Sequence, residues 1–180
     1  MSYVFDNSPL SALFRNYYRK TFPSLWQRFD QLVDDGRLVS TREVFREIED
    51  GPSESLLEWA KNNRALFATP TAEEGAFVAQ IYAVPHFQQN IEQKKLLRGG
   101  RVADPFVIAR AAVEKRIVVT TELMKPNAVK IPNICAHFGV GCMSLARSLS
   151  PSLQPVAETR PHSHSRGVAG CPRRRGRPRP

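Results

Sequence analysis

The segment Arg116-Ile117-Val118-Val119-Thr120 narrows the possible folds more than any other part of the chain. A strand with one face in water alternates apolar and polar residues. Four consecutive β-branched residues instead suit a strand covered on both faces, which is the central strand of a parallel sheet. Parallel strands need long crossovers, usually helical, so this run predicts helices before and after it.

The rest of the chain meets that demand. Tyr3-Val4-Phe5 is a short apolar run ending at Asp6. Ser8-Pro9 reads as a helix start, with Ser8 as N-cap, followed by Leu10, Leu13, Phe14, Tyr17 and Tyr18 at helical spacing. A second helix opens at Pro23-Ser24 with Leu25, Trp26, Phe29, Leu32 and Val33 on one face, and Gly36 is its stop. Arg37-Leu38-Val39 predicts a second strand. Ser40-Thr41-Arg42-Glu43 reads as a capping box for a third helix carrying Val44, Phe45 and Ile48. A helix over 54–62, a strand over 66–68, and a helix from Thr71 that ends at Pro85 follow. Residues 86–97 lean helical and Arg98-Gly99-Gly100 is a loop. Asp104-Pro105, as N-cap and first-turn proline, opens an apolar helix just before the central strand. The alternation predicts an α/β fold, a three-layer α/β/α sandwich around a mostly parallel sheet, over residues 1–150. No internal repeat is visible.

Composition changes after Ser150. Residues 151–180 are rich in Pro, Arg, Gly and Ser, and too poor in large apolar residues to offset the entropy of ordering, which predicts a disordered tail. The tail holds seven arginines against one glutamate, so six of the chain's nine net positive charges lie there. The high pI is therefore no sign that the domain itself binds polyanions. No apolar run approaches the roughly 18 residues of a membrane span. The opening residues lack the basic and apolar regions of a secretory signal, so a cytoplasmic protein is expected. Three cysteines, Cys135, Cys142 and Cys171, are too few and too irregular for a disulfide framework or a zinc site, and read as structural thiols in a reducing compartment.

Parallel sheets carry functional groups at the carboxyl ends of their strands. Asp6 follows the first strand, Glu122 lies just past the central one, Asp104 opens a helix, and Glu47 sits at the border of an apolar helix face. Four acids distant in sequence can thus meet at one edge. Carboxylates held together repel and favour a cation, and an all-oxygen set suits Mg²⁺ or Mn²⁺. Ser8 and Thr120 supply hydroxyls to orient them. Each acid also has a plain structural reading: Asp104 as a helix cap, Asp6 as a turn cap, Glu47 as a solvated helix charge, Glu122 as a loop acid.

A family resemblance bears on that choice. Tyr3-Val4-Phe5-Asp6-Asn7-Ser8 resembles the opening strand of PIN domains. Val39-Ser40 with Val44-Phe45-Arg46-Glu47-Ile48 resembles their second motif, Ala103-Asp104-Pro105-Phe106-Val107-Ile108-Ala109 their third, and Val118-Val119-Thr120-Thr121-Glu122 their fourth. The four occur in the family's order within residues 2–149. Ala103-Asp104-Pro105 and Lys130-Ile131-Pro132-Asn133-Ile134-Cys135 are similar to a largely uncharacterised bacterial and archaeal PIN-like branch. The resemblance implies a Mg²⁺- or Mn²⁺-dependent endoribonuclease cutting single-stranded RNA, with Asp6, Glu47, Asp104 and Glu122 as catalytic and metal-holding acids and Ser8 and Thr120 supporting them. It also implies a VapC-type toxin paired with a cognate antitoxin protein, often as a homodimer. The alternative is an inactive PIN-like module that binds nucleic acid or a partner. Two departures stand out: Glu122 replaces the more usual Asp, and the Arg/Pro/Gly stretch stands where the branch has a last helix and strand, as a shifted reading frame would produce.

Within the tail, Arg173-Arg174-Arg175-Gly176-Arg177-Pro178 resembles an AT-hook, whose arginines favour the narrow minor groove of A·T-rich DNA. A solvated basic tail is the plainer reading.

Overall fold

Five short strands form one sheet in the computed structural model, which describes residues 1–88, 91 and 102–150. They are β1 (Tyr3–Phe5), β2 (Leu38–Thr41), β3 (Phe67–Ala68), β4 (Ile117–Val119) and β5 (Cys142–Met143). Their spatial order is β3-β2-β1-β4-β5, and every pair is parallel. The connecting helices are α1 (Asn7–Asn16), α2 (Pro23–Asp34), α3 (Arg42–Glu49), α4 (Glu54–Asn62), α5 (Ala72–Tyr82), α6 (Asp104–Val113), α7 (Ile131–Phe138) and α8 (Leu145–Ser148). Residues 85–88 are also helical.

From β1 the chain steps to β2 and β3 on one side, then returns across β1 to β4 and β5. Right-handed crossovers put helices on opposite faces when the direction reverses. Accordingly α1, α3 and α4 pack on one another, whereas α5 packs along α6, which lies against β1, β2 and β4. The sheet is therefore the middle layer of an α/β/α arrangement. The direction reverses between β1 and β4, and the sheet's crevice opens at the carboxyl ends of those strands.

The β-branched run behaves as its composition requires. Val118 and Val119 are completely buried beside Val4 and Phe5 of β1, in the register Val4↔Val118 and Phe5↔Val119. Burial of each such side chain contributes roughly 1.5–3 kcal/mol. On the other side of β1, an aromatic cluster of Phe5, Phe14, Trp26, Phe29 and Trp59 joins α1, α2 and α4 to the sheet. Gly36 takes a left-handed φ of +63° after α2, which explains a glycine there.

Local signals misplace some boundaries. Ser40 does not cap α3: it extends β2, and its Oγ donates to the Phe5 carbonyl at 2.6 Å. Thr41 is the cap, accepting from Val44 N at 3.4 Å, and Glu43 pairs with Arg42 instead of closing a box. The N-cap of α1 is Asp6, not Ser8. The N-cap of α6 is Ala103, so Asp104 is the first helical residue and Pro105 the second. The helix from Thr71 ends before Pro85, at Tyr82, and Pro85 opens a separate helical turn. At Thr71 the capping box with Glu74 is fully formed. β5 has no counterpart in the sequence reading; two residues too short to show alternation become a strand only by pairing with β4. Among the described residues, no helix is long and apolar enough to cross a membrane. The tail over 151–180, most of 86–97 and the loop over 98–100 lie outside the described residues.

Candidate active site

Asp6 occupies the switch point of the sheet. Its backbone N–H donates to the Val119 carbonyl at 3.1 Å, which holds it where β1 leaves the ladder and α1 begins. The side chain is 5 % exposed. Ser8 Oγ donates to Asp6 Oδ2 at 2.6 Å, and Thr120 Oγ1 donates to the same oxygen at 3.2 Å. With both protons directed at Asp6, the 3.4 Å approach of the two hydroxyls is a contact and not a further bond. Thr120 Oγ1 accepts from Glu122 N, and Ser8 Oγ accepts from Thr121 N, each at 3.2 Å. The two hydroxyls thus tie Asp6 to the turn after β4.

Glu47 brings the other segments to this place. Its Oε1 accepts from the backbone N–H of Ala103 at 3.0 Å, and its Oε2 from Asn7 Nδ2 at 3.4 Å. Ala103 precedes Asp104, and Asn7 follows Asp6. One half-buried glutamate on α3 therefore links the neighbours of both aspartates. Glu43 and Glu49 on the same helix do neither: Glu43 pairs with Arg42, and Glu49 is exposed. Asp104 is 7 % exposed in the first turn of α6, where a helix favours negative charge. It is not the N-cap of α6, a position taken by Ala103. Further along α6, buried Arg110 donates to the Ser40 carbonyl at 3.1 Å and pairs with Glu114 at 2.9 Å, which fastens the helix to β2.

The electrostatics follow from that crowding. Burial pushes the Asp6 carboxyl up to about 6 from 3.8, reinforced by the negative charges of Asp104 and Glu47. The bonds from Ser8 and from the Asn7 backbone oppose the rise without overcoming it. Three acids from distant parts of the chain thus act on one another.

Glu122 is placed differently. It lies beyond β4 on the same edge, but its Oε1 accepts from Lys130 Nζ at 2.9 Å and its Oε2 from Ile131 N at 2.8 Å. Those bonds satisfy the N-terminus of α7, whose own N-cap, Lys130, makes no side-chain cap bond. The structure therefore gathers Asp6, Glu47, Asp104, Ser8 and Thr120, and turns Glu122 toward α7. Arg173, Arg174, Arg175 and Arg177 lie outside the described residues.

Asn7, Arg110 and Lys130 are the site's neighbours that sequence reasoning did not single out. Asn7 carried a faint signal as the polar residue next to Asp6. Arg110, in an otherwise apolar helix, carried a clearer one, since a buried charge requires partners. Lys130 stands in the segment similar to the PIN-like branch, but nothing local pairs a lysine with a carboxylate eight residues away.

Among the described residues, no three His, Cys, Asp or Glu side chains already form a metal-binding group. The donor chemistry nevertheless fits a hard divalent cation. The ligands available are carboxylate oxygens, and Mg²⁺ is commonly held by one or two carboxylates while it retains several waters. The carboxyl of Asp6 is raised first by burial and then by the charges of Asp104 and Glu47, and a bound cation would oppose both.

Fold and edge together define an α/β protein with an all-parallel sheet and interacting buried acids at its switch point. The profile of a domain of unknown function, DUF4411, matches residues 3–152, and the chain belongs to that family. No curated protein matches the chain.

Proposed function

We propose that this protein is a Mg²⁺- or Mn²⁺-dependent endoribonuclease of the PIN type, which cleaves single-stranded RNA in the cytoplasm as the toxin of a toxin–antitoxin pair. The observation that carries this reading is the double bond of Glu47 to Asn7 and Ala103, which draws Asp6 and Asp104 into one repulsive cluster at the switch point. Beside its burial, the charges of Asp104 and Glu47 raise the proton affinity of Asp6.

Asp6, Asp104 and Glu47 are the residues that would hold the metal. When bound, a divalent ion lowers the pKa of a water and offsets the charge of a phosphodiester. The chain's own contribution is positional. Ser8 and Thr120 fix one oxygen of Asp6, and Glu47 fixes the segments that carry both aspartates.

The direct test is Mn²⁺-dependent cleavage of single-stranded RNA by the full chain, with Asp6→Asn and Asp104→Asn as controls. Cleavage that needs both aspartates supports the proposal; undiminished cleavage by either variant removes it.

A second reading is a PIN-like module that binds nucleic acid or a partner without cutting it. The capture of both Glu122 oxygens by Lys130 and Ile131 favours it, because the fourth acid is then occupied. Titration calorimetry separates the two. Absence of Mn²⁺ binding at millimolar metal supports the module.

A further inference from the structure

A groove between α1, α2 and α8 begins beside the acids and leads away from them. Ser8, Ala12 and Asn16 stand four residues apart on α1 and form one ridge. Ser8 bonds to Asp6 and accepts from Thr121 N, whereas Ala12, Asn16 and Thr121 line the groove. From Ser8 to Asn16 the helix rises about 12 Å. The groove has a volume of about 820 Å³, within the range of sites that hold small ligands. Its floor is apolar, with Leu25 half-buried and Leu149 buried, and its exposed rim carries the amides of Asn16 and Gln31. Trp26 Nε1 donates to the Tyr17 carbonyl at 2.6 Å and fixes the end of α1 against α2, so two walls are held before any ligand arrives.

Charge decides what such a groove can take. Among the described residues, Arg28 is the one charged side chain in the lining. It has no carboxylate partner there: its Nη1 donates to Gln31 Oε1 at 3.2 Å, and its buried Nε has no acceptor. A buried donor left unpaired costs free energy until an acceptor is supplied. The other side of α2 is the reverse. There Arg19 is already paired with Asp30 at 2.6 Å, and Asp34 and Asp35 line the neighbouring groove. A phosphate is repelled from that side and drawn to this one.

Resting on the reading of the acids as a site that cuts single-stranded RNA, we propose that this groove holds a nucleotide flanking the scissile phosphate, and that Arg28 is its positioning residue. An unpaired nucleotide offers an apolar base face, polar base edges and a phosphate. The base lies on Leu25 and Leu149, its edge meets the amides of Asn16 and Gln31, and Arg28 leaves Gln31 for a phosphate oxygen, a stronger, charge-assisted bond.

The probe is a short single-stranded RNA carrying one 4-thiouridine, added to the full chain in EDTA so that binding is read without cleavage. Cross-linking followed by mass spectrometry should mark peptides of α2 and α8. By fluorescence anisotropy, Arg28→Gln should weaken binding about tenfold and lower the salt slope by about one, the usual cost of one arginine–phosphate contact. Arg19→Gln removes an equal charge from the acidic side and should change affinity less than about twofold. Cross-links confined to residues 151–180, or equal losses in the two variants, would each overturn the proposal. Failure of the nuclease reading looks different: the cross-links and the Arg28 effect persist, but adding Mn²⁺ gives no cleavage, which supports the groove and removes only the cutting.

Discussion

Asp6 and Glu122 end adjacent strands on the same edge of the sheet, yet their surroundings differ in kind. Glu122 meets an ammonium and a helix N-terminus, and its charge is compensated within the protein. Asp6 meets two hydroxyls, one backbone N–H at the start of α1 and two other acids, and burial with those acids raises its proton affinity. Two carboxylates just beyond adjacent strands therefore have different chemical prospects. A compensated carboxylate stabilises the fold, whereas an uncompensated one accepts a proton or a cation.

The largest effect that can break this contrast is on cleavage. Asp6→Asn and Asp104→Asn should each lower Mn²⁺-dependent RNA cleavage by about 1000-fold or more, since a catalytic metal contributes several kcal/mol to the transition state. Glu122→Gln should retain far more activity in the same assay. Equal losses would place Glu122 with the other acids and dissolve the comparison.

Stability gives the next largest effect, and its sign is diagnostic. The folded-state pKa of Asp6 lies above the unfolded value, so between pH 3.8 and about 6 the folded state binds more protons. Stability from this group falls as pH rises through that window and is at its lowest above it. Asp6→Asn should therefore stabilise the metal-free protein at pH 7.5 by up to about 3 kcal/mol, with the gain vanishing below about pH 4. Urea unfolding at the two pH values measures this. A destabilised variant at pH 7.5 would mean that Asp6 is already compensated.

Thr120→Val tests the support of Asp6. Loss of one hydroxyl donor should weaken Mn²⁺ binding by about 10- to 100-fold, the usual range for a group that orients a metal ligand. It should also raise the pH at which Mn²⁺ binding is half-lost, measured by calorimetry across pH 5–8. An unchanged pH midpoint would show that Ser8 alone suffices.

The smallest effect belongs to Glu122. Glu122→Gln should destabilise the protein by about 1 kcal/mol, as the ion pair with half-exposed Lys130 is lost and the cap on α7 is weakened. In thermal unfolding this loss should diminish at high salt. A stability gain like that expected for Asp6→Asn would reverse the assignment of the two acids.

Much of this molecule was legible along the chain. The β-branched run identified β4, and Pro23, Thr71 and Gly36 marked helix boundaries that the structure keeps. These signals are local: a cap or a turn glycine acts within one turn of its own position. Errors fell where two residues satisfy one local rule, as at Ser40 and Thr41, or where the local rule was overridden, as at Ala103 and Asp104. In each case the choice was made by a partner far away, the Phe5 carbonyl for Ser40 and Glu47 for Ala103. β5 was invisible because its stability comes from pairing with β4.

The sequence by itself determined that the chain alternates strands and helices, that the sheet is parallel, and that acids lie near the ends of its strands, because periodicity, β-branching and turn chemistry act over a few residues. Only the tertiary structure decided that Asp6, Glu47 and Asp104 share one charge environment while Glu122 joins Lys130. The reason is that Coulomb interactions and hydrogen bonds depend on separation in space, and crossovers of dozens of residues bring those side chains together.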